Sequence, residues 1–400
     1  MVQIVIVGAG PTGATLALLL AKRGIAVTLI EAARDFHRVF RGEGLMPSGL
    51  DALEQMGLST LLEHIPHRKL DGWEFILEEK QLFRVDEPMG AARPCTLVSQ
   101  PPLLKALISQ AQTNDGFELI QGVPVKDLRW TNQRVAGVLL SDGREFAADL
   151  VIGADGRNSV VRQRIGLELV RQPKNVDILW FKLASSPKFV TDNVFRTILN
   201  GDRAFSIFHG AESGKLHLAW VMSANENTDS KQANWAEIFA SLSPSWLAEH
   251  FRNYADTIES PIRLSVVVGY CPQWHAPGVL LLGDAAHPMS PVRAQGINLA
   301  LRDVIVAANH LVPLFHTEEA QHQEIDMALR GIQAEREPEI IRAQQLQLKE
   351  ATQGELLRKN PLLRSLLIQL APFLGKIIQK SWLKRQHEMR QGITQVHLTV

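Results

Sequence analysis

The chain has 400 residues, 46% hydrophobic and 21% charged, the composition of a globular protein; the length allows two or three domains, or one large unit carrying an insertion. Lys plus Arg and Asp plus Glu balance at 42 each, so no overall field draws in nucleic acid. Two cysteines, Cys95 and Cys271, exclude a disulfide framework and give no metal-ligand spacing, which points to a reducing, cytoplasmic setting.

No signal peptide is read ahead of the first strand, and the apolar stretch Ala14–Ala21 is too short to span a bilayer. Val2–Val7 is a β-branched run followed at once by Gly8-Ala9-Gly10-Pro11-Thr12-Gly13. A helix over Ala14–Arg23, a capping Gly24 and a second strand, Ala26–Ile30, complete a βαβ unit. Its glycines have separate tasks: Gly8 makes the turn, Gly10 lets backbone approach a pyrophosphate, and Gly13 allows close helix–strand packing. Glu31, followed by Ala32, falls 18 residues after Gly13, where an acid takes a ribose hydroxyl pair. This is a dinucleotide fingerprint in full context. It does not separate FAD from NAD, although Glu31 disfavours NADP at this site.

Arg41 stands in a loop before a helix whose Leu50, Leu53 and Leu58 face the core; it is free to reach a phosphate or to sit in solvent. Trp73–Leu77 and Gln81–Val85 flank Glu78-Glu79-Lys80 and read as a hairpin leaving the nucleotide domain. Gln100 stands just before a helix over Leu103–Gln112, as a cofactor contact or a capping residue. A β-meander through residues 118–152 ends in a second acid after a buried strand, Gly153-Ala154-Asp155-Gly156.

Arg171 to about Pro261 reads as an inserted domain, with strands at Val176–Ala184, Arg203–His209 and Lys215–Val221 and a helix over Trp235–Tyr254. One face of its sheet would roof a substrate pocket, lined by Arg196, Phe208, His209 and Trp220. The apolar run Val279–Leu282 then leads into Gly283-Asp284, placing Asp284 at the carboxyl end of a parallel strand, where open α/β sheets bind ligands. A loop stiffened by Pro288 and Pro291 follows, then Gln295-Gly296 and a helix from Ile297 to about Val312. Its unpaired N–H groups make a seat for negative charge. Polyol acceptor, stiff loop and helix N-terminus in one segment suit a flavin. His287, in an Ala-Ala-His-Pro context, is read as a structural hydrogen bonder without a proton-transfer role. Beyond Leu311 the chain is helical. Pro361–Ile378 is apolar and ends in a basic run, so it packs on the domain or a partner subunit, or rests on a membrane surface.

Three ordered motifs, Gly8–Gly13, Gly153–Arg162 and Gly283–Asn298, resemble those of the class A flavoprotein monooxygenases, the para-hydroxybenzoate hydroxylase-like family. The resemblance covers roughly residues 1–312. It implies an α/β fold: a glutathione-reductase-type, Rossmann-like FAD domain (1–70, 96–170, 262–320), an inserted mixed β-sheet substrate domain (71–95, 171–261) and a helical C-terminus (321–400). It also implies non-covalent FAD held by Gly8, Gly10, Thr12, Gly13, Glu31 and Ala32 at the ADP half. Arg41, Gln100 and Asp155 would add further contacts, and Gly283, Asp284, Gly296, Ile297 and Asn298 would hold the ribityl and flavin end. Pro291 would lie beside flavin and substrate. Where the family commonly has two glycines this chain has Arg293-Ala294, so Arg293 reaches the flavin, an anionic substrate or solvent.

The implied chemistry is FAD reduction by NADPH or NADH, then reaction with O₂ to a flavin hydroperoxide that gives one oxygen to a small aromatic substrate, in a monomer or homodimer. A related halogenase, an isoprenoid-type reductase or a peripheral membrane flavoprotein is the alternative. The Trp-x-Trp-x-Ile-Pro and Tyr-x-Trp-x-Phe-Pro stretches of the first two are absent.

Overall fold

The computed structural model describes residues 3–36, 44–90, 93–172, 177–222, 233–315 and 321–400. Alternation of β-branched residues and glycine turns places Gln3–Val7 at the centre of a six-stranded sheet. Its order is 275–276, 279–281, 150–153, 3–7, 26–31, 117–121, parallel except for the 275–276 edge. Ile4, Val5, Ile6, Val151, Ile152 and Leu280 are fully buried, as continuous apolar parallel strands should be. Helices Pro11–Ala21, Gln100–Ala111 and Gln295–Phe315 pack with this sheet. The antiparallel meander 125–131, 134–140, 145–147 supplies Val135, Val138 and Leu140 to the same core.

The inserted sheet has seven strands in the order 262–264, 178–184, 215–221, 203–209, 194–200, 72–77, 80–86, antiparallel except between 194–200 and 72–77. Period-2 alternation gives it two apolar faces. Phe181, Phe205, Ile207, Leu218 and Trp220 pack beneath helices Trp235–Ser241 and Ser245–Asn253. Trp73, Phe75, Trp180, Phe195 and Phe208 face the nucleotide domain, meeting Met46, Leu97 and Ala294. Glu78 and Glu79, with φ of 48° and 70°, form the two-residue turn of the expected hairpin.

Several expected boundaries move. The helix expected over Trp235–Tyr254 is two, because Pro244, lacking an N–H, starts the second as its N-cap. Strand Ile262–Leu264 joins the inserted sheet, past the expected boundary at 261. The first helix begins at Pro11 and the late one at Gln295, two residues before the expected Ile297. Helices His322–Lys359 and Pro361–Gln391 form the C-terminal region, and the tail returns to the first domain, where Leu398 N–H donates to Gln55 and Thr399 N–H to Asn309.

A buried ionic cluster joins these parts. Asp303 accepts from His287 Nε2 at 2.7 Å, from Arg336 Nε at 2.8 Å and from Gly283 N–H at 3.2 Å. Arg336 also pairs with Glu339, which accepts from Arg302 at 3.0 Å and from Ile393 N–H at 2.8 Å. Burial would raise the Asp303 carboxyl, but His287 and Arg336 outweigh it and hold the group below its ordinary value. Glu339 is likewise raised by burial and brought below its ordinary value by Arg336 and Arg302.

Removing one member strands the rest. Arg336→Met is expected to lower stability by about 3–5 kcal/mol, read as a reduced urea midpoint at neutral pH. Both carboxyls titrate lower folded than unfolded, so their stabilisation is present above about pH 4 and is lost as pH falls through the folded values. The wild-type-to-variant gap should therefore narrow in acid.

Candidate active site

The fingerprint turn is built by close approach. A Cβ on Gly13 would lie 1.9 Å from the Gly8 carbonyl oxygen, and Gly8 itself, at φ +100°, touches Ala154 backbone. At Gly10 an added Cβ meets nothing within 4 Å. That open space faces the N-terminus of helix Pro11–Ala21, which has no side-chain cap, so its N–H groups are available to a phosphate. Glu31 ends its strand with one carboxylate oxygen on Ala9 N–H at 2.8 Å and the other on Ala33 N–H at 2.9 Å, with Ala32 between them. The acid is thus oriented over the glycine turn. Arg41 lies outside the described residues. Gln100 is buried and is the first residue of helix Gln100–Ala111, which starts three residues before the expected Leu103.

Asp155 differs from its expected position as a plain ligand. Its Oδ2 accepts from Val160 and Val161 N–H at 2.7 and 3.1 Å, at the start of helix Val160–Arg164, while Oδ1 is buried with no hydrogen-bond partner among the described residues. Burial pushes this carboxyl up against those bonds. One oxygen is structural and the other is left for a donor.

The flavin end is equally specific. Asp284 is exposed, although Gly283 and the residues from Ala285 to Met289 are buried, so solvent reaches this residue at the sheet's carboxyl edge. A Cβ on Gly283 would meet Thr12 Oγ1 at 2.4 Å, which locks this loop to the fingerprint helix. A Cβ on Gly296 would lie 3.8 Å from Asp284 Oδ1, so the carboxylate borders the first turn of helix Gln295–Phe315. Ile297 in that turn is buried. The Asn298 side chain is fully used within the protein: Oδ1 accepts from Met46 N–H at 2.8 Å, and Nδ2 donates to Gly44 and Ala294 carbonyls at 3.1 and 2.6 Å. Only its backbone remains for a ligand. His287 is buried against Trp274 and bonded to Asp303, as a structural histidine.

Arg293 is where the chain departs from glycine. Arg293 and Ala294 have φ of 60° and 49°, left-handed values that cost of order 1–3 kcal/mol each in a non-glycine residue. The Arg293 guanidinium lies 5.1 Å from the centre of the Trp73 ring, 5.3 Å from Phe75 and 4.8 Å from Trp382, and is paired with Glu350. Glu350 also accepts from Gln386 Nε2 at 3.1 Å. Burial would raise Glu350, but Arg293 more than reverses this and the acid sits below its ordinary value. Trp73 is fixed in turn, its Nε1 donating to Glu87 at 2.7 Å and Glu87 accepting from Arg390 at 2.5 Å. Arg293 therefore neither points to solvent nor stands as an unpaired cation.

The pocket lining expected from sequence is partly overturned. Phe208 faces inward, stacked on Phe195 at 5.0 Å and edge-on to Trp180 at 6.0 Å. Arg196 and Trp220 alternate to the opposite face. Arg196 is buried against Glu74 and Asp192 at 2.8 and 2.9 Å and lies over Phe189 and Trp246; Trp220 packs on Trp235 and Phe239. His209 also alternates away from Phe208, with Nδ1 on the Gly210 carbonyl at 2.8 Å. His217 takes the inward place, 5.6 Å from Phe208, and burial drives its imidazole down to about 3, so it is neutral. Sequence reasoning missed Trp73, Phe75, His217, Glu350 and Trp382. A tryptophan inside the basic run Lys380–Arg385 was the available signal for the last.

Glycine turn, oriented acid, exposed strand-end carboxylate and facing helix N-terminus fit a long dinucleotide with a polyol linker, the binding features of a flavoprotein. The family model described as FAD binding domain matches residues 1–335, and the chain belongs to that family of class A flavoprotein monooxygenases. It is similar to 6-methylpretetramide 4-monooxygenase of Streptomyces rimosus, 30% identical across 87% of this chain and 83% of that one. It is also similar to 3-demethoxyubiquinol 3-hydroxylase of Escherichia coli strain K12, 28% identical across 78% and 79%. Among solved structures, PqsL of Pseudomonas aeruginosa superposes with TM-score 0.77 at 23% identity, covering 88% of this chain and 96% of that one. The p-nitrophenol 4-monooxygenase PnpA of Pseudomonas putida DLL-E4 superposes with TM-score 0.77 at 17% identity, covering 99% and 100%. The chain is an FAD-dependent monooxygenase.

Asp284→Ala removes this exposed residue's carboxylate without touching the core. FAD affinity is expected to fall about 10- to 100-fold, as for a charged hydrogen bond, while far-ultraviolet circular dichroism stays unchanged. The ratio of flavin to protein absorbance after desalting measures it, and a fully flavinated variant would refute the placement.

Proposed function

We propose that the protein inserts one oxygen atom from O₂ into a small, planar, uncharged or phenolic aromatic substrate, with NADPH or NADH as electron donor. The substrate would lie between the flavin site and the inward face of the inserted sheet. The observation that carries this reading is the aromatic wall of Trp73, Phe75, Phe195, Phe208 and Trp382 standing directly on the Arg293 loop of the Asp284 segment. Such rings bind a flat apolar ligand by offset stacking and exclude water from the reacting face.

Gly8, Gly10, Thr12, Gly13, Glu31 and Ala32 would hold the nucleotide half of FAD, with Asp155 Oδ1 as an added acceptor. Asp284, Gly296, Ile297 and the backbone of Asn298 would hold the ribityl and pyrimidine end. Bound FAD supplies two-electron reduction by a nicotinamide and activation of O₂. The chain's own contribution is electrostatic: the first-turn N–H groups of helix Gln295–Phe315 favour negative charge beside Gly296.

Pro291 and Arg293 would border flavin and substrate. Because Glu350 already neutralises Arg293, the wall offers an orienting ion pair rather than a bare cation, which favours a phenol over a carboxylate. The neutral His217 ring supplies no cation either. The free thiols Cys95 and Cys271 support a cytoplasmic setting.

The test follows NADPH and NADH oxidation by the flavin-loaded protein across phenols, benzoates and fused aromatic rings under labelled O₂. Phenols or fused rings should stimulate oxidation and gain one labelled oxygen. Arg293→Ala, which releases Glu350, should raise KM for that substrate at least about tenfold with flavin content unchanged. Turnover without labelled O₂ incorporation, or a preference for benzoates, would overturn the reading.

A further inference from the structure

Helix Pro361–Gln391 is fastened along one side only. Arg364 Nε pairs with Glu78 at 2.7 Å, Gln379 Nε2 donates to the Arg84 carbonyl at 2.8 Å, and Trp382, Gln386 and Arg390 are buried at the proposed active-site wall. On its other side Leu362, Leu366, Phe373 and Ile377 are 82%, 51%, 78% and 62% exposed. At 3.6 residues per turn these four fall within an arc of about 60°, a continuous stripe and not a scatter. Lys380 and Lys384 carry the same line onward, and Lys376 flanks it; all three are exposed and make no ion pair among the described residues. Helix Gln295–Phe315, comparably apolar, is by contrast buried in the core.

Charge distribution selects the occupant. The chain as a whole has no net charge, yet residues 356–387 carry seven basic residues and no Asp or Glu. Pairing the stripe with its copy in a second chain would set that basic surface against itself. An anionic surface with an apolar interior matches both features. By length and composition alone the helix could span a membrane. Its side-chain bonds to the inserted sheet and to helix His322–Lys359 nevertheless hold it flat against the protein.

We propose that the outward face of Pro361–Gln391 docks on the surface of an anionic lipid bilayer, with Leu362, Leu366, Phe373 and Ile377 entering the acyl boundary and Lys376, Lys380 and Lys384 meeting headgroups. This site is separate from the proposed substrate chamber, although Trp382 on the same helix reaches that chamber from the other side.

The full-length, flavin-loaded protein is co-sedimented with vesicles of phosphatidylcholine alone or with phosphatidylglycerol at about 30 mol%, the anionic fraction giving a surface potential of the expected sign. Binding is expected to the mixed vesicles, to weaken about tenfold in Phe373→Asp/Ile377→Asp and in Lys380→Glu/Lys384→Glu, and to fall as ionic strength screens the surface. Flavin absorbance and circular dichroism check that these surface variants remain folded. Hydrogen exchange on the wild-type chain should slow over residues 362–377 when mixed vesicles are added. No sedimentation with mixed vesicles at low salt, equal binding to both vesicle types, or a solution dimer that Phe373→Asp/Ile377→Asp dissociates would each overturn the proposal.

Discussion

Asp303 is the residue on which the arrangement turns. Its carboxylate is fully buried and accepts simultaneously from Gly283 N–H, His287 and Arg336. A charge at that depth is tolerable only while its partners stay in place, so the loop after strand Val279–Leu281 has one permitted course. That course brings Gly283 against Thr12 and leaves Asp284 exposed among buried neighbours. The proposed cofactor contact at the surface is thus positioned by an ionic cluster beneath it, which extends through Glu339 to Arg302 and the returning tail.

The same logic explains the Arg293-Ala294 pair. Two left-handed non-glycine residues are costly, and the conformation persists because the guanidinium is enclosed by three rings and neutralised by Glu350. A glycine pair would give this loop freedom to move. Here the side chain fixes it and joins it to helices His322–Lys359 and Pro361–Gln391. The C-terminal region is consequently part of the aromatic cluster beside the inserted sheet and not an appendage. Trp382 packs on Arg293 and Trp73, Gln386 orients Glu350, and Arg390 holds Glu87 and through it Trp73.

The inserted sheet shows how one amino-acid step decides function. Phe208 and Trp180 face the nucleotide domain, while their neighbours Ile207 and Phe181 face the covering helices. Arg196 and Trp220 lie on the helix-covered side because of strand parity alone. Both faces carry packed apolar clusters, so composition could not say which aromatic residues face the nucleotide domain.

Local pattern determined the nucleotide half of this protein. The fingerprint turn, Glu31 at its strand end, the strand into Asp284 and the hairpin at Glu78-Glu79 depend on spacings within a few dozen residues, where glycine sterics and strand periodicity act directly. Tertiary structure alone decided the rest. The union of Arg293 with Trp73, Glu350 and Trp382 joins residues separated by up to 309 positions, and the inward turn of His217 depends on strand register. The use of Asp155 at a helix start and the internal use of Asn298 rest on backbone N–H and C=O groups whose positions no side-chain pattern records. Long-range contacts and sheet parity arise from the whole chain's packing, and that is why a linear reading reached the glycine turns and strand-end acids but not the aromatic cluster between the two sheets.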